Sequence, residues 1–266
     1  MRKFIFIGLV LLASLPSFAQ KTKKEKKEER RQQINELIKQ EEEGVITYSK
    51  HTVFGLKLIT DGYGAFLEIG RAQSVRRALL FQLEFAERRN RKEDKQTNLA
   101  IPTSPFVYGK INYFYPVKLG VQQQYLLGNK TNRNGVSVTG NIGGGLSLAL
   151  LRPYYLEVND IQNQRRKYIR YESADSATFV SPGELQSLNV SGSGLSKGWG
   201  DMSVTPGAYA KLGLRFDYGK YNEVVSALEV GIVGEIYTKK IPQVVYTEYE
   251  QMFFSAYVSI LFGKRK

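Results

Sequence analysis

Apolar and polar side chains alternate one for one along eight separate stretches of this 266-residue chain, each at least nine residues long. A two-residue period sends successive side chains to opposite faces of an extended backbone, so each stretch reads as a strand with one greasy face and one polar face. Nowhere after residue 20 do the roughly 18 consecutive apolar residues of a membrane helix occur. Any embedding of the main body in a bilayer must therefore be by strands, and about nine tilted residues are enough for one crossing.

The first segment, His51 to Thr60, sets Thr52, Phe54, Leu56 and Leu58 against Val53, Gly55, Lys57 and Ile59, and Asp61-Gly62-Tyr63-Gly64 follows as a tight turn. The second, Ala65 to Gln73, turns Leu67 and Ile69 one way and Glu68 the other. The third, Ala78 to Glu87, opposes Leu79, Phe81, Leu83 and Phe85 to Gln82 and Glu84. Tyr108 to Leu126 is the clearest, with Ile111, Tyr113, Tyr115, Val117, Leu119 and Val121 against Lys110, Asn112, Phe114, Lys118, Gln122 and Gln124. Val136 to Leu150 follows, its run Gly143 to Gly145 permitting a bend. Val204 to Phe216 sets Ala208, Ala210, Leu212 and Leu214 against Tyr209, Lys211 and Arg215. Val224 to Tyr237 opposes its apolar face to Glu229 and Glu235, and Met252 to Phe262 opposes Phe254, Ala256, Val258, Ile260 and Phe262 to Ser255, Tyr257 and Ser259.

Closed on itself, this set is an all-β, transmembrane antiparallel up-and-down barrel of about eight strands. A soluble sandwich also alternates, but strands this long with so many charges on one face would form an unusually large one. Connection lengths supply an independent check, because a barrel entered from the periplasmic side carries its long loops at the odd connections. Those fall at 61–64, 88–106, 151–203 and 238–251, and the even ones at 74–77, 127–135 and 217–223. Three of the four odd connections are long and all the even ones are short.

The connection 151–203 is long enough to be functional, and it is the main suspect for a docking surface. Within it, Tyr154 to Val158 and Lys167 to Tyr171 are expected to pair as an external hairpin. Counting them as crossing strands would give ten, but Arg165 and Lys167 on one face and Arg166, Arg170 and Glu172 on the other leave no face for lipid. Trp199, the only tryptophan, is either an interfacial anchor or a partner contact, and Arg166, Tyr168 and Arg170 are the other candidate partner contacts.

Arg2 and Lys3, the apolar run Phe4 to Leu15 and Ser17-Phe18-Ala19 read as a secretory signal ending at residue 19. Residues 20–44 are almost wholly polar. From Lys21 to Glu43 only Ile34, Leu37 and Ile38 are large and apolar, so the segment reads as a charged periplasmic helix or leader, and the barrel occupies 45–266. The absence of cysteine excludes thiol anchoring, disulfides and thiolate chemistry. A net charge of +13 suits lipid phosphates better than nucleic acid in an exported chain. The expected location is the outer membrane of a diderm bacterium with the N-terminus periplasmic, and the expected partners are outer-membrane lipids and other envelope or secretion-system proteins.

If the greasy faces meet lipid, the polar faces converge on a lumen holding Lys57, Lys110, Lys118, Lys211 and Arg215 with Glu68, Glu84, Glu229 and Glu235. Eight strands enclose a space that side chains fill, and charges buried there must pair, so the expectation is a salt-bridged plug. A narrow channel or transporter for small solutes is the alternative. Glu229 and Glu235 are expected to be structural ion-pair members in preference to an acid/base pair. His51, the single histidine, is the one candidate base for an outer-membrane lipid or peptide hydrolase, and its place at the start of the first strand weighs against that role. No catalytic set, metal-ligand cluster or cofactor motif is found, and Gly143 to Gly145 lies inside a strand, so it is no phosphate loop.

The leader ending Ser17-Phe18-Ala19-Gln20, the stretch Gly109-Lys110-Ile111-Asn112-Tyr113-Phe114-Tyr115 and the closing Phe253-Phe254-Ser255-Ala256-Tyr257-Val258-Ser259-Ile260-Leu261-Phe262 resemble uncharacterised outer-membrane β-barrel proteins of Bacteroidota. The resemblance covers about residues 45 to 263. It implies an outer-membrane location and insertion by the barrel-assembly machinery, which reads an aromatic last strand. Here the chain continues past Phe262 with Gly263-Lys264-Arg265-Lys266, a departure from the terminal-aromatic pattern. Some relatives of similar size, the PorT-type barrels, are accessory parts of the type IX secretion system, and no motif here is specific to that role. The resemblance implies no catalytic residues.

Overall fold

A computed structural model of the chain describes residues 28, 49–74, 76–96, 104–130, 135–160, 165–172, 175–181, 189–219 and 224–265. The chain divides into two compact units, Met1–Gln40 and Glu41–Lys266. The expected signal peptide and the charged segment Lys21 to Glu43 lie outside the described residues, save Glu28, which is helical and exposed.

Eight long strands form one closed antiparallel ring: β1 (Lys50–Ile59), β2 (Gly62–Ser74), β3 (Arg77–Arg88), β6 (Asn112–Gly128), β7 (Ser137–Pro153), β11 (Ser203–Asp217), β12 (Val224–Ile241) and β13 (Glu250–Arg265). Each is paired with its neighbours in chain order, and β1 closes the ring on β13 from His51↔Arg265 to Ile59↔Tyr257. Closure leaves no sheet edge, so every strand has a backbone partner on both sides without help from water.

Burial follows the alternation, with the greasy face outside. Along β1 every second residue is buried. Leu58 is 69% exposed, Leu146 68% and Phe254 80%, whereas Glu68 and Glu229 are fully buried. This inverts the arrangement of a soluble sandwich, whose apolar faces meet each other in the centre. No described helix is long and apolar enough to cross a membrane, which leaves open a crossing by strands.

The eight strands match the eight alternating segments, with three main departures. The second starts at Gly62, not Ala65, so the tight turn expected at 61–64 narrows to Thr60 and Asp61. The fourth starts at Asn112, not Tyr108, because Gly109 adopts a left-handed turn (φ 68°) and Lys110 makes an isolated bridge to Val244 instead of joining the wall. The seventh runs on to Ile241 and the last begins at Glu250, so the connection expected at 238–251 shrinks to 242–249. Tyr237, Ile241 and Phe253 pack with Phe114 and Leu151 there, and this cluster holds the extended hairpin beyond a register shift between Ile236 and Ile241. The contrast in loop length therefore rests on 89–111 and 154–202 alone.

Both of those connections fold. β4 (Lys95–Gln96) pairs with β5 (Phe106–Val107). β8 (Leu156–Asp160), β9 (Arg165–Ile169) and β10 (Asn189–Gly192) form a three-stranded sheet in the order β10-β8-β9, beside a short helix α1 (Ser176–Val180). The expected hairpin is thus present, outside the ring, with Leu156 opposite Ile169. The three-stranded sheet, β5 and α1 share a core of Phe106, Val107, Tyr154, Leu156, Val158, Ile169, Phe179 and Val190.

Candidate functional site

Two regions carry the polar chemistry: the lumen and the folded connections at one end. In the lumen, Lys118 bridges Glu84 (3.0 Å) and Glu235 (2.6 Å), and Lys57 pairs with Glu84. Arg215 donates through both terminal nitrogens to Glu68 (2.7 Å each) and through Nε to Glu229 (2.8 Å). Glu229 also receives Lys211 (2.9 Å), Asn141 (2.9 Å) and the Tyr257 hydroxyl (2.8 Å). Gln82 accepts from Lys211 (3.1 Å) and from Gln122. Lone buried ions cost several kcal/mol each, and this density of partners is what makes the interior tolerable.

Lys57, Lys118, Lys211, Arg215, Glu68, Glu84, Glu229 and Glu235 all stand in this network, and Lys110 does not. Lys110 lies at the long-connection end, ion-paired to Glu93 (2.6 Å), with its ammonium 4.1 Å from the centre of the Tyr113 ring. Burial there lowers its pKa below the usual lysine value, against the pull of Glu93. The fifth lumen cation is Arg88, which pairs with Glu235 (2.9 Å) and Asp61 (2.6 Å) and donates to Ser255. Sequence reading placed Arg88 in a connection, yet it shares the parity of Gln82 and Glu84, and extending the strand by one residue would have found it.

Apolar clusters flank the network. Val53, Val225, Ala227 and Leu261 pack with Phe66 towards the short-turn end, and Phe114, Leu151, Tyr237 and Phe253 pack towards the other. Inward glycines make the fit possible. A Cβ on Gly120 would stand 2.3 Å from the Tyr209 hydroxyl, and one on Gly213 2.5 Å from that of Tyr257. His51, buried near the short-turn end, lies 3.2 Å from Glu68.

Of the candidate contact residues, Arg166 and Tyr168 alternate with buried Ile169 along β9 and Arg170 follows directly after it, while Trp199 lies apart from them against the barrel wall. Glu157 receives Arg166 (3.1 Å) and the Tyr168 hydroxyl (3.5 Å); Arg170 donates to the Tyr155 hydroxyl (3.0 Å), which in turn donates to Asp201 (2.8 Å). Lys197 sits 4.6 Å from the centre of the Tyr168 ring, and the Lys197-Gly198-Trp199 run carries this surface onto the barrel wall. There Trp199 stacks on Tyr115, which stacks on Phe85.

What fixes that run is Arg152, a residue no pattern singled out. Its guanidinium lies on the outside of the wall yet is fully buried, 4.1 Å from the Tyr113 ring centre and 4.8 Å from that of Trp199. It donates to the carbonyls of Leu195 (3.2 Å) and Lys197 (3.1 Å). Beside it a cleft of about 710 Å³ opens between residues 87–95, 104–110 and 191–195, with Tyr63, Tyr113 and Tyr154 among its walls. Among the described residues no group of His, Cys, Asp or Glu is arranged to hold a metal ion.

No protein-family model and no curated protein sequence matches the chain. Among solved structures, the N-terminal β-barrel domain of OprF from Pseudomonas aeruginosa is similar at 10% identity, over 81% of this chain and 98% of that one, with a TM-score of 0.36. Ail, the attachment invasion locus protein of Yersinia pestis, is similar at 7% identity, over 82% and 99%, with a TM-score of 0.37. Neisserial surface protein A is similar at 11% identity, over 82% and 96%, with a TM-score of 0.34.

Proposed function

We propose that this chain is a non-enzymatic outer-membrane barrel whose folded long connections dock other envelope proteins. The inverted polarity of the wall supports the membrane reading, because a contiguous belt of exposed Leu, Ile, Val and Phe in water would be an aggregation surface. The long-loop asymmetry favours the three-stranded sheet facing outward and the N-terminus lying in the periplasm.

The single observation that carries the docking role is the sheet itself. Loops that merely join strands have no core, whereas these two connections together bury eight side chains, six from 154–202 and two from 89–111, and leave Trp199, Tyr168 and Arg166 exposed. Aromatic and arginine residues on a preorganised surface are the usual anchors of protein contacts. The filled lumen favours this reading over a solute channel, and the enclosure of His51 beside Glu68, away from the folded connections, disfavours a hydrolase.

Pull-down from native membranes in mild detergent, with deletion of residues 154–202 as the control, tests the docking role. Specific copurification that the deletion abolishes is the expected result. Copurification that survives deletion moves the docking surface to the N-terminal segment, and copurification with nothing refutes the proposal. Planar-bilayer recordings of the purified barrel should show no steady conductance; stable open steps would revive the channel.

A further inference from the structure

The outside of the wall is not evenly greasy. At the level of Thr60, where β1 ends, the apolar belt sinks into a groove of about 590 Å³. Strand pairing explains it. Ala210 faces Gly234 across β11 and β12, and Ala256 lies beside Ile232 across β12 and β13, so three outward positions that elsewhere carry Leu, Ile or Phe carry almost no side chain. Phe254 stands as one bank, its ring 3.1 Å from where a Cβ of Gly234 would be.

One end of this groove is not apolar. Arg91 lines it together with Thr60, brought there by the turn after β3, whose Arg89 amide donates to the Asp61 carbonyl (2.7 Å) and whose Asn90 side chain donates to Gln243 (3.3 Å). Arg91 and Lys92 are exposed, and neither makes an ion pair among the described residues. An arginine at the rim of a hydrocarbon-facing wall can lay its stem on apolar surface and hold its head at the level of lipid phosphates.

We infer that this groove is a specific site for one acyl chain of a phosphorylated membrane lipid, with Arg91 receiving the phosphate. The inference rests on the membrane reading above, since a groove in the lipid-facing wall is filled by a chain wherever the wall meets hydrocarbon. Charge complementarity selects among lipids. An uncharged lipid gains the groove alone, and an anionic one gains the groove and the arginine.

Native mass spectrometry of the full detergent-solubilised chain tests this, with dioleoylphosphatidic acid and dioleoylglycerol as probes and inorganic phosphate as competitor. One phosphatidic acid should be retained per chain. Arg91→Gln should weaken it about fivefold, the worth of one basic side chain at a membrane surface, while leaving dioleoylglycerol unchanged. Ala256→Phe fills the groove and should weaken both lipids; Ala210→Leu does the same from the neighbouring strand if the first variant fails to fold. Retention equal to wild type in all folded variants overturns the site. So does displacement of the lipid by phosphate alone, or a dimer that excludes lipid, which would show a second copy covering the groove. A chain soluble without detergent would overturn the membrane reading itself, whereas a detergent-dependent barrel that retains no lipid overturns only the groove.

Discussion

Glu229→Gln is the most exacting perturbation of the lumen. Glu229 is fully buried and accepts from Arg215, Lys211, Asn141 and Tyr257 at 2.8–2.9 Å. Glutamine preserves the shape and one acceptor oxygen but removes the charge, so two cations lose their shared counter-ion. Arg215 keeps its two-pronged contact with Glu68, so the uncompensated charge falls mainly on Lys211, whose remaining acceptor is Gln82. Breaking a buried pair by removing one partner costs about 3–5 kcal/mol, and the retained Glu68 contact argues for the lower end, about 3 kcal/mol. Lys211→Met should cost less, because Glu229 keeps Arg215, Asn141 and Tyr257. The double variant should cost about 1–3 kcal/mol less than the sum of the singles, since the stranded ammonium is gone. Urea unfolding of the barrel in phospholipid vesicles, read by the fluorescence of the single Trp199 and by the gel mobility of folded and unfolded forms, measures all three. A loss below about 1 kcal/mol for Glu229→Gln, with strictly additive singles, would mean that water screens the interior, and the plugged lumen would have to be abandoned.

Two further outcomes follow from the folded connections. Arg152→Ala should free the 193–201 run, shifting Trp199 emission to the red and raising its accessibility to a soluble quencher. Arg152→Lys should restore little, because an ammonium lacks the planar fork that reaches several carbonyls at once; unchanged spectra in both would refute the clamp. The external sheet should also lose stability in alkali. Burial raises Tyr154 above the ordinary tyrosine value of 10.0, and burial with the Tyr246 hydrogen bond pushes Tyr108 up to about 12. Above pH 10 the unfolded chain gives up protons that the folded one keeps, so stability falls as pH rises through that window. Tyrosinate absorbance should therefore appear together with loss of the sheet, and ionisation of all the tyrosines at pH 10 with the sheet intact would contradict it.

Much of this architecture is legible one residue at a time. Which residues form the wall, and which of their side chains turn inward, follows from a two-residue period that depends only on backbone geometry. Leu58 faces out and Lys57 in for a reason contained within β1. The strand ends are less local. Tyr108 to Ile111 continue the alternating pattern, yet the chain leaves the wall there because Gly109 turns it and Val244, far along the sequence, offers Lys110 a partner. Arg88 entered the lumen on the correct parity, and only the length of β3 hid it.

The pairing of charges belongs to the tertiary structure alone. Sequence parity names a set of cations and anions, but that Arg215 meets Glu68 across the lumen, and Lys118 bridges Glu84 to Glu235, depends on the strand registers and on closure of the ring. Strand register likewise decides the groove, since Ala210, Gly234 and Ala256 come from three neighbouring strands and no one strand shows that they meet. β10 and Arg152 mark the same boundary: β10 has no periodic signal, and the parity that turns Arg152 outward does not say what it holds, because each is fixed by contacts with distant segments. Alternation is a property of one strand and is written along it, whereas a lumen, a groove or a docking surface is a property of several strands brought side by side.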